Sequence, residues 1–265
     1  MKQKFKYQVV TIGFAVSTGL ILSGLNLEVQ AKEQSYFITN YLLLSADSVA
    51  QNISAIDLFR KAYQNRYTWN NQFPGYTAAI EFKQGKDKYN GYIRVDPDLR
   101  TVEVTGINDE EASQTIKNQL LMLAVHRRQT LFETAHKNKT FKFVSAKSSG
   151  IKEIVEEGGK APARYQIANN QIIQVSRLLG PHAVVVKTLD TKTTPEGYIA
   201  TQYQSTFHDA KTNQLIGSEI SSDTYTKIGN YYLPVRQVIQ HTEDGDKFEA
   251  EFNFTDIKLI QPKSS

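Results

Sequence analysis

The chain contains no cysteine, and this absence removes several kinds of chemistry at once. Thiol nucleophiles, disulfide bonds and thiolate metal sites all require cysteine. The 265 residues also contain no long basic run, and the formal charge of +4 falls to +2 outside residues 1–31, which hold three lysines and one glutamate. Because a phosphate backbone needs a basic stripe, nucleic acid is not expected as a partner.

Catalytic and cofactor motifs are incomplete. Ser149 and Lys152 have the serine-x-x-lysine spacing of penicillin-binding enzymes, but the companion SDN and KTG elements are absent. Residues 158–160 (GGK) lack the upstream glycine and the following serine or threonine of a phosphate loop. The five histidines show no pairing at helical spacing that would suggest a metal site. We therefore expect no enzymatic activity, no cofactor and no metal.

One pair of carboxylates leaves two interpretations open. Asp96 and Asp98 share one strand face and have the residue type of an acid–base pair. The same two residues flank Pro97, where aspartates commonly cap a turn. Turn capping is the simpler explanation, so the sequence favours a structural role for both.

The first 31 residues have the organisation of an export signal. Lysines at positions 2, 4 and 6 precede residues 9–25, which carry no charge, and residues 29–31 (VQA) suit a cleavage site. An uncleaved anchor is the alternative, although the uncharged stretch is short for a membrane span. Residues 1–31 are predicted to be a signal peptide for export to the periplasm or the thylakoid lumen. Residues 32–53 form a predicted flexible leader, with a second processing site after Ala50 as an alternative.

Two segments show helical spacing of their apolar residues. The first runs from Ser54 to about Tyr67 and is amphipathic. The second runs from Asn108 to about His136, begins with a capping-box pattern formed by Asn108 and Glu111, and is apolar nearly all round in its middle. The sequence thus predicts one shorter helix and one long buried helix.

Outside these helices the apolar residues alternate with period two. Strands are predicted at residues 76–83, 89–95 and 101–105, and nine more follow the long helix, up to residues 247–257. Turn residues separate several of them, at residues 169–170, 209–214, 229–230 and 244–246. In the last strand Phe248, Ala250, Phe252 and Phe254 alternate with polar residues, which indicates one dry face and one wet face.

These elements predict an α+β fold with a single long antiparallel curved sheet. Many long strands in one meander tend to coil, and the two helices have suitable sizes to fill the concave side of a half-barrel. No interdomain linker or internal repeat interrupts residues 54–262. We therefore expect one half-barrel domain, wrapped around one long and one shorter helix.

Short motifs connect this chain with a known family. They are DLFR at 57–60, YTW at 67–69, FPGYT at 73–77, DPDL at 96–99, VTGI at 104–107, DEEA at 109–112, HR at 126–127, EGY at 196–198 and FHD at 207–209. In these motifs the chain resembles a cyanobacterial family of unknown function, domain of unknown function 3386 (DUF3386). The resemblance implies a source lineage and a fold rather than an activity.

A second resemblance is architectural. The order of signal peptide, short helix, hairpin ending in DPDLR at residues 96–100, internal helix and long meander is similar to that of periplasmic lipoprotein carriers of the LolA type. In that family an incomplete barrel is closed by helices and receives acyl chains. The resemblance implies a cavity for a hydrophobic ligand, by analogy of fold.

The 14 tyrosines and 13 phenylalanines suit either a ligand pocket or a filled core. The first alternative predicts an exported, non-enzymatic protein that binds a lipid, a pigment or an acyl chain in the half-barrel. Its predicted partners are a hydrophobic small molecule or an acylated protein, with contact to a membrane surface. The residues predicted to line the cavity are Trp69, Phe73, Leu120, Leu123, Phe248, Phe252 and Phe254. The second alternative is a structural or assembly factor that binds another protein through its sheet.

Overall fold

A computed structural model describes residues 53–146, 150–243 and 245–261. The predicted signal peptide, the predicted leader except for its last residue, and Ser149 of the serine-x-x-lysine motif lie outside the described residues. The strands and helices given below all belong to the described part of the chain.

Within these residues, twelve strands form one antiparallel sheet. The strands are β1 Tyr76–Gln84, β2 Asp87–Val95, β3 Val102–Thr105, β4 Thr140–Ala146, β5 Lys152–Glu157, β6 Ala163–Ala168, β7 Gln171–Leu179, β8 His182–Thr194, β9 Gly197–Asp209, β10 Leu215–Ile228, β11 Tyr231–Glu243 and β12 Asp246–Leu259. Their order is β3-β2-β1-β12-β11-β10-β9-β8-β7-β6-β5-β4. The sheet is therefore open, with β3 and β4 at its edges, and the predicted α+β fold with a curved antiparallel sheet is confirmed.

Asparagine and glycine at the turns explain why consecutive strands pair as hairpins. Asn169 and Asn170, between β6 and β7, have φ angles of 51° and 56°, and Gly229, between β10 and β11, has a φ of 59°. Positive φ at the central residues matches the twist of a tight hairpin, and asparagine and glycine tolerate it best. The turns predicted at these two places are confirmed.

Three helices accompany the sheet in the described ranges: α1 Ala55–Gln64, α2 Glu110–Arg127 and α3 Phe132–Ala135. The hydroxyl of Ser54 caps α1 by accepting a hydrogen bond from the Asp57 N–H at 3.2 Å. Helix α1 ends before the predicted Tyr67, because the Tyr67 N–H donates to the Tyr198 carbonyl at 2.9 Å. None of these helices is long and apolar enough to cross a membrane.

The long helix differs from its prediction at both ends. Its N-cap is Asp109 rather than Asn108, since the Asp109 carboxylate accepts from the Ala112 N–H at 2.8 Å. The helix ends at Arg127 because Trp69 bonds to the chain on both sides of Arg128. The Trp69 N–H donates to the Arg127 carbonyl at 2.6 Å, and the Trp69 carbonyl accepts from the Gln129 N–H at 3.1 Å. This bridge holds Arg128 extended, and helical structure resumes only in α3.

Both longer helices pack on the same face of the sheet. Residues that pair across neighbouring strands point to the same side, and one such row crosses the sheet from Ile154 through Tyr165 to Phe248. Ile154 and Tyr165 belong to a core with α1, while Phe252, on the same face of β12 as Phe248, belongs to a core with α2. We call this side the concave face. It carries two helix-covered cores at the two ends of the sheet.

Candidate ligand-binding site

Six of the seven residues predicted to line a cavity lie in the closed core between α2 and the sheet. Trp69, Phe73, Leu120, Leu123, Phe252 and Phe254 are each at most 5% exposed. Trp69 stacks on Phe73 with ring centroids 4.3 Å apart. The seventh, Phe248, is half-buried beside His241, at a centroid distance of 6.4 Å. Their contact with a ligand stays a prediction.

A buried polar network fastens the end of α2 to the sheet. Arg127, the last residue of α2, donates through Nη2 to the Tyr225 hydroxyl at 2.8 Å, and this hydroxyl donates to the Asp223 carboxylate at 2.9 Å. The Gln237 side chain also donates to Asp223, at 3.2 Å. Burial raises the pKa of Asp223 to about 6, against the opposing effect of Tyr225, Arg127 and Gln237. The three elements α2, β10 and β11 are thus joined by side-chain hydrogen bonds.

An open cleft of about 430 Å³ lies on the concave face, beside the β5–β6 and β7–β8 turns. Its apolar wall contains Ala161, Ala163, Leu178 and Leu179. Its polar side contains Lys139, Glu156, Lys160, Tyr165 and Arg177. Ligand sites have volumes in this range and combine apolar walls with a few polar groups. We treat this cleft as the candidate site.

A chain of hydrogen bonds forms the polar floor of the cleft. Tyr165 on β6 donates its hydroxyl proton to Glu156 on β5 at 2.6 Å, and Arg177 on β7 donates to the Tyr165 hydroxyl at 3.2 Å. The other Glu156 oxygen lies 3.1 Å from Nδ1 of His136. Burial alone would raise the pKa of Glu156, but hydrogen bonds from His136 and Tyr165 outweigh it and lower this pKa. Glu156 is therefore ionised at neutral pH.

Replacing Glu156 by glutamine tests this floor. We expect the free energy of unfolding to fall by about 1–3 kcal/mol at pH 7, since charge-assisted hydrogen bonds are lost. Because the folded-state pKa of Glu156 is lowered, its contribution is present above its ordinary pKa of 4.5 and disappears as the pH falls through the folded-state value. Urea unfolding at neutral and acidic pH measures both effects.

The matched control for this variant is Glu157→Gln. Glu157 is partly exposed and its side chain accepts from the exposed Lys142 at 2.6 Å, so its loss should change the free energy of unfolding by less than about 1 kcal/mol. If Glu156→Gln lowered the free energy of unfolding equally at neutral and acidic pH, Glu156 would not be ionised in the folded protein.

Asp96 and Asp98 are placed as turn residues. Asp98 accepts hydrogen bonds from the N–H groups of Arg100 and Thr101 at 2.9 and 3.0 Å, and these bonds lower its pKa. Asp96 accepts from Nε of Arg94 at 2.6 Å. Both carboxylates are thus engaged in the turn between β2 and β3. In the part of the chain that the structure describes, no three histidine or carboxylate side chains converge in a way that suits a metal ion.

A family model described as a protein of unknown function, DUF3386, matches residues 50–260. The chain belongs to this family. The resemblance that its short motifs carry is thereby confirmed, while a cyanobacterial source stays a prediction. No curated protein matches this DUF3386 chain.

Two solved structures show distant similarity to the DUF3386 chain. One, from Vibrio parahaemolyticus, is described as an outer membrane lipoprotein-sorting protein domain; it has 8% identity and a TM-score of 0.26, with 79% of this chain and 94% of that chain covered. The other is MucB in complex with MucA(peri), with 8% identity, a TM-score of 0.20, and 78% and 99% coverage. Both TM-scores are low, so the description of the fold rests on strand order and register.

The sequence did not single out the cleft, because its floor comes from three strands. Glu156, Tyr165 and Arg177 meet only through the register of β5, β6 and β7. The alternation of buried and exposed residues along β5 and β7 nevertheless points to the cleft residues. Glu156 is in phase with buried Ile154, and Arg177 is in phase with buried Val175, so each places a charge on the dry face of its strand.

Proposed function

We propose that this DUF3386 chain is an exported, non-enzymatic binding protein that holds a hydrophobic ligand, such as a lipid, a pigment or an acyl chain, in the cleft of its concave face. The observation that carries this proposal is the open cleft of about 430 Å³ with an apolar wall. The proposed location is the periplasm or the thylakoid lumen, in keeping with the charge pattern of residues 1–31.

The apolar wall continues into the sheet. Leu179 lines the cleft and also packs against a small apolar cluster formed by Val184, Val186 and Phe207. A ligand that lies along this wall removes its own apolar surface, and that of the wall, from water, which stabilises the complex by about 25 cal/mol for each Å² buried. An apolar chain therefore fits the cleft better than a fully polar solute.

None of the seven residues predicted from the sequence lines the cleft, and six of them lie in the core beneath α2. Leu120 and Leu123 of α2 share a buried core with Phe252 and Phe254 of β12, so a ligand reaches them only when α2 separates from the sheet. The network from Arg127 to Asp223 opposes that separation. Separation of α2 would therefore open a second apolar region, at the other end of the sheet from the cleft.

The proposal is tested on protein purified without detergent from its own compartment, by native mass spectrometry and organic extraction. We expect a stoichiometric adduct whose mass matches a lipid or a pigment. The Leu179→Asn variant should lose most of this adduct, because an amide replaces part of the apolar wall. Leu189→Asn is the control, since Leu189 is exposed on β8 and lies outside the cleft.

A protein without adduct that also fails to bind an apolar fluorescent probe would contradict the proposal. In that case the alternative, an assembly factor that binds another protein through its sheet, gains support from the sheet edges. Among the described strands β4 pairs with β5 alone, and its Phe143 is 45% exposed. An exposed edge strand of this kind can pair with a strand of a partner.

A further inference from the structure

The charges of the cleft narrow the class of ligand. Lys139, Lys160 and Arg177 line the cleft together with one carboxylate, Glu156. Building on the proposed function, we propose that the ligand is an amphiphile with an anionic head group. The head group binds among these three cations, and the apolar chain lies along the wall at Leu179.

Glu156 forms no direct ion pair with the two lysines, although the charge of Lys139 helps to lower its pKa. It is only 6% exposed, and its oxygens are already engaged with His136 and Tyr165 at the floor of the cleft. Neither Lys139 nor Lys160 forms a direct ion pair with a carboxylate of the described ranges. The mouth of the cleft therefore has an excess of positive charge, which an anionic group complements.

Contacts with neighbouring residues locate two of the cations at the cleft. A methyl group on Gly159 would lie 2.6 Å from Nζ of Lys139, so the ammonium group sits directly over this glycine of the β5–β6 turn. The Arg177 guanidinium is held by its bond to Tyr165, which is in turn held by Glu156. Because Arg177 is positioned before binding, its side chain loses little entropy when the ligand arrives.

A neutral ligand fits these cations less well. A neutral head group at the mouth removes water from the cations and supplies no opposite charge in its place. This desolvation costs free energy. A carboxylate or phosphate replaces that water with charge-assisted hydrogen bonds. A carboxylate would come from a free fatty acid and a phosphate from a phospholipid or a related ester.

Three probes with the same alkenyl chain separate these cases: oleyl alcohol, oleate and oleyl phosphate. We expect the full mature protein to bind at least one of the anions about tenfold more tightly than the alcohol at low ionic strength, with the difference shrinking as salt is added. A preference for oleate assigns a carboxylate head group, and a preference for oleyl phosphate assigns a phosphate. Titration calorimetry or displacement of a fluorescent probe provides the dissociation constants.

The triple variant Lys139→Gln/Lys160→Gln/Arg177→Gln should bind the anions about tenfold more weakly and leave the affinity for oleyl alcohol nearly unchanged. The control, Arg100→Gln/Lys117→Gln/Lys211→Gln, changes the same number of charges at exposed positions outside the cleft. Arg177→Lys, which keeps the charge, shows whether loss of the Tyr165 bond matters separately. Thermal unfolding establishes that each variant is folded.

The binding measurements distinguish failure of the head-group proposal from failure of the proposed function. Equal affinity of the wild-type protein for all three probes would overturn the anionic head group and leave the hydrophobic site intact. Absence of binding to all three probes would overturn the proposed function itself, and the head group with it.

Discussion

Trp69→Ala is expected to lower the free energy of unfolding by about 3–5 kcal/mol. Trp69 is 1% exposed, stacks on Phe73, and donates from Nε1 to the Tyr232 carbonyl at 3.1 Å. Alanine leaves a cavity and removes the side-chain donor to the Tyr232 carbonyl. The cavity lies beside the backbone bonds that join Trp69 to the end of α2. Urea unfolding followed by circular dichroism measures the loss, because tryptophan fluorescence disappears with the only tryptophan.

The conservative control is Trp69→Phe. Phenylalanine keeps an aromatic ring against Phe73 but cannot donate to Tyr232, so about 1–2 kcal/mol should be lost. If Trp69 formed the mouth of an open cavity, alanine would instead change ligand affinity with little loss of stability. A cost below about 1 kcal/mol for Trp69→Ala would therefore contradict its place in a closed core.

Asp223→Asn is expected to remove a pH dependence from the stability of the protein. The pKa of Asp223 is about 6 in the fold and has an ordinary value of 3.8, so the folded state binds this proton more tightly than the unfolded state. The contribution of Asp223 is thus most favourable below about pH 4 and is lost as the pH rises to about 6. The difference is about 3 kcal/mol, since one pKa unit corresponds to about 1.4 kcal/mol.

Denaturant unfolding at several pH values between 4 and 7 tests this directly. The free energy of unfolding of Asp223→Asn, minus that of the wild type, should increase with pH over this range. Asp98→Asn is the control with a nearly flat difference profile, because hydrogen bonds from the turn lower the pKa of Asp98 below its ordinary 3.8 and the folded and unfolded states have both lost most of this proton in this range. Parallel profiles of Asp223→Asn and wild type would show that Asp223 is not buried in the network with Tyr225 and Arg127.

Much of the fold was predictable because its signals are local. The alternation of Phe248 to Phe254 predicted the face that β12 buries, and Asn169 and Asn170 predicted a hairpin turn that has positive φ. The helical spacing of apolar residues after Ser54 predicted where α1 begins, and the structure adds the cap at Ser54. The motifs spread over residues 57–209 were enough to indicate the family that the match to residues 50–260 confirms.

The tertiary structure decided three other points, each through contacts between distant residues. The long helix stops at Arg127 because the backbone of Trp69 pairs across Arg128. The cleft exists because strand register brings Glu156, Tyr165 and Arg177 into one hydrogen-bonded row. The aromatic residues of the α2 core are buried together with side chains of the helix. The sequence could not decide this, because a core and a cavity wall use the same side chains and differ only in their packing. Local sequence therefore determined the elements and their buried faces, while long-range pairing determined where the chain leaves an open site.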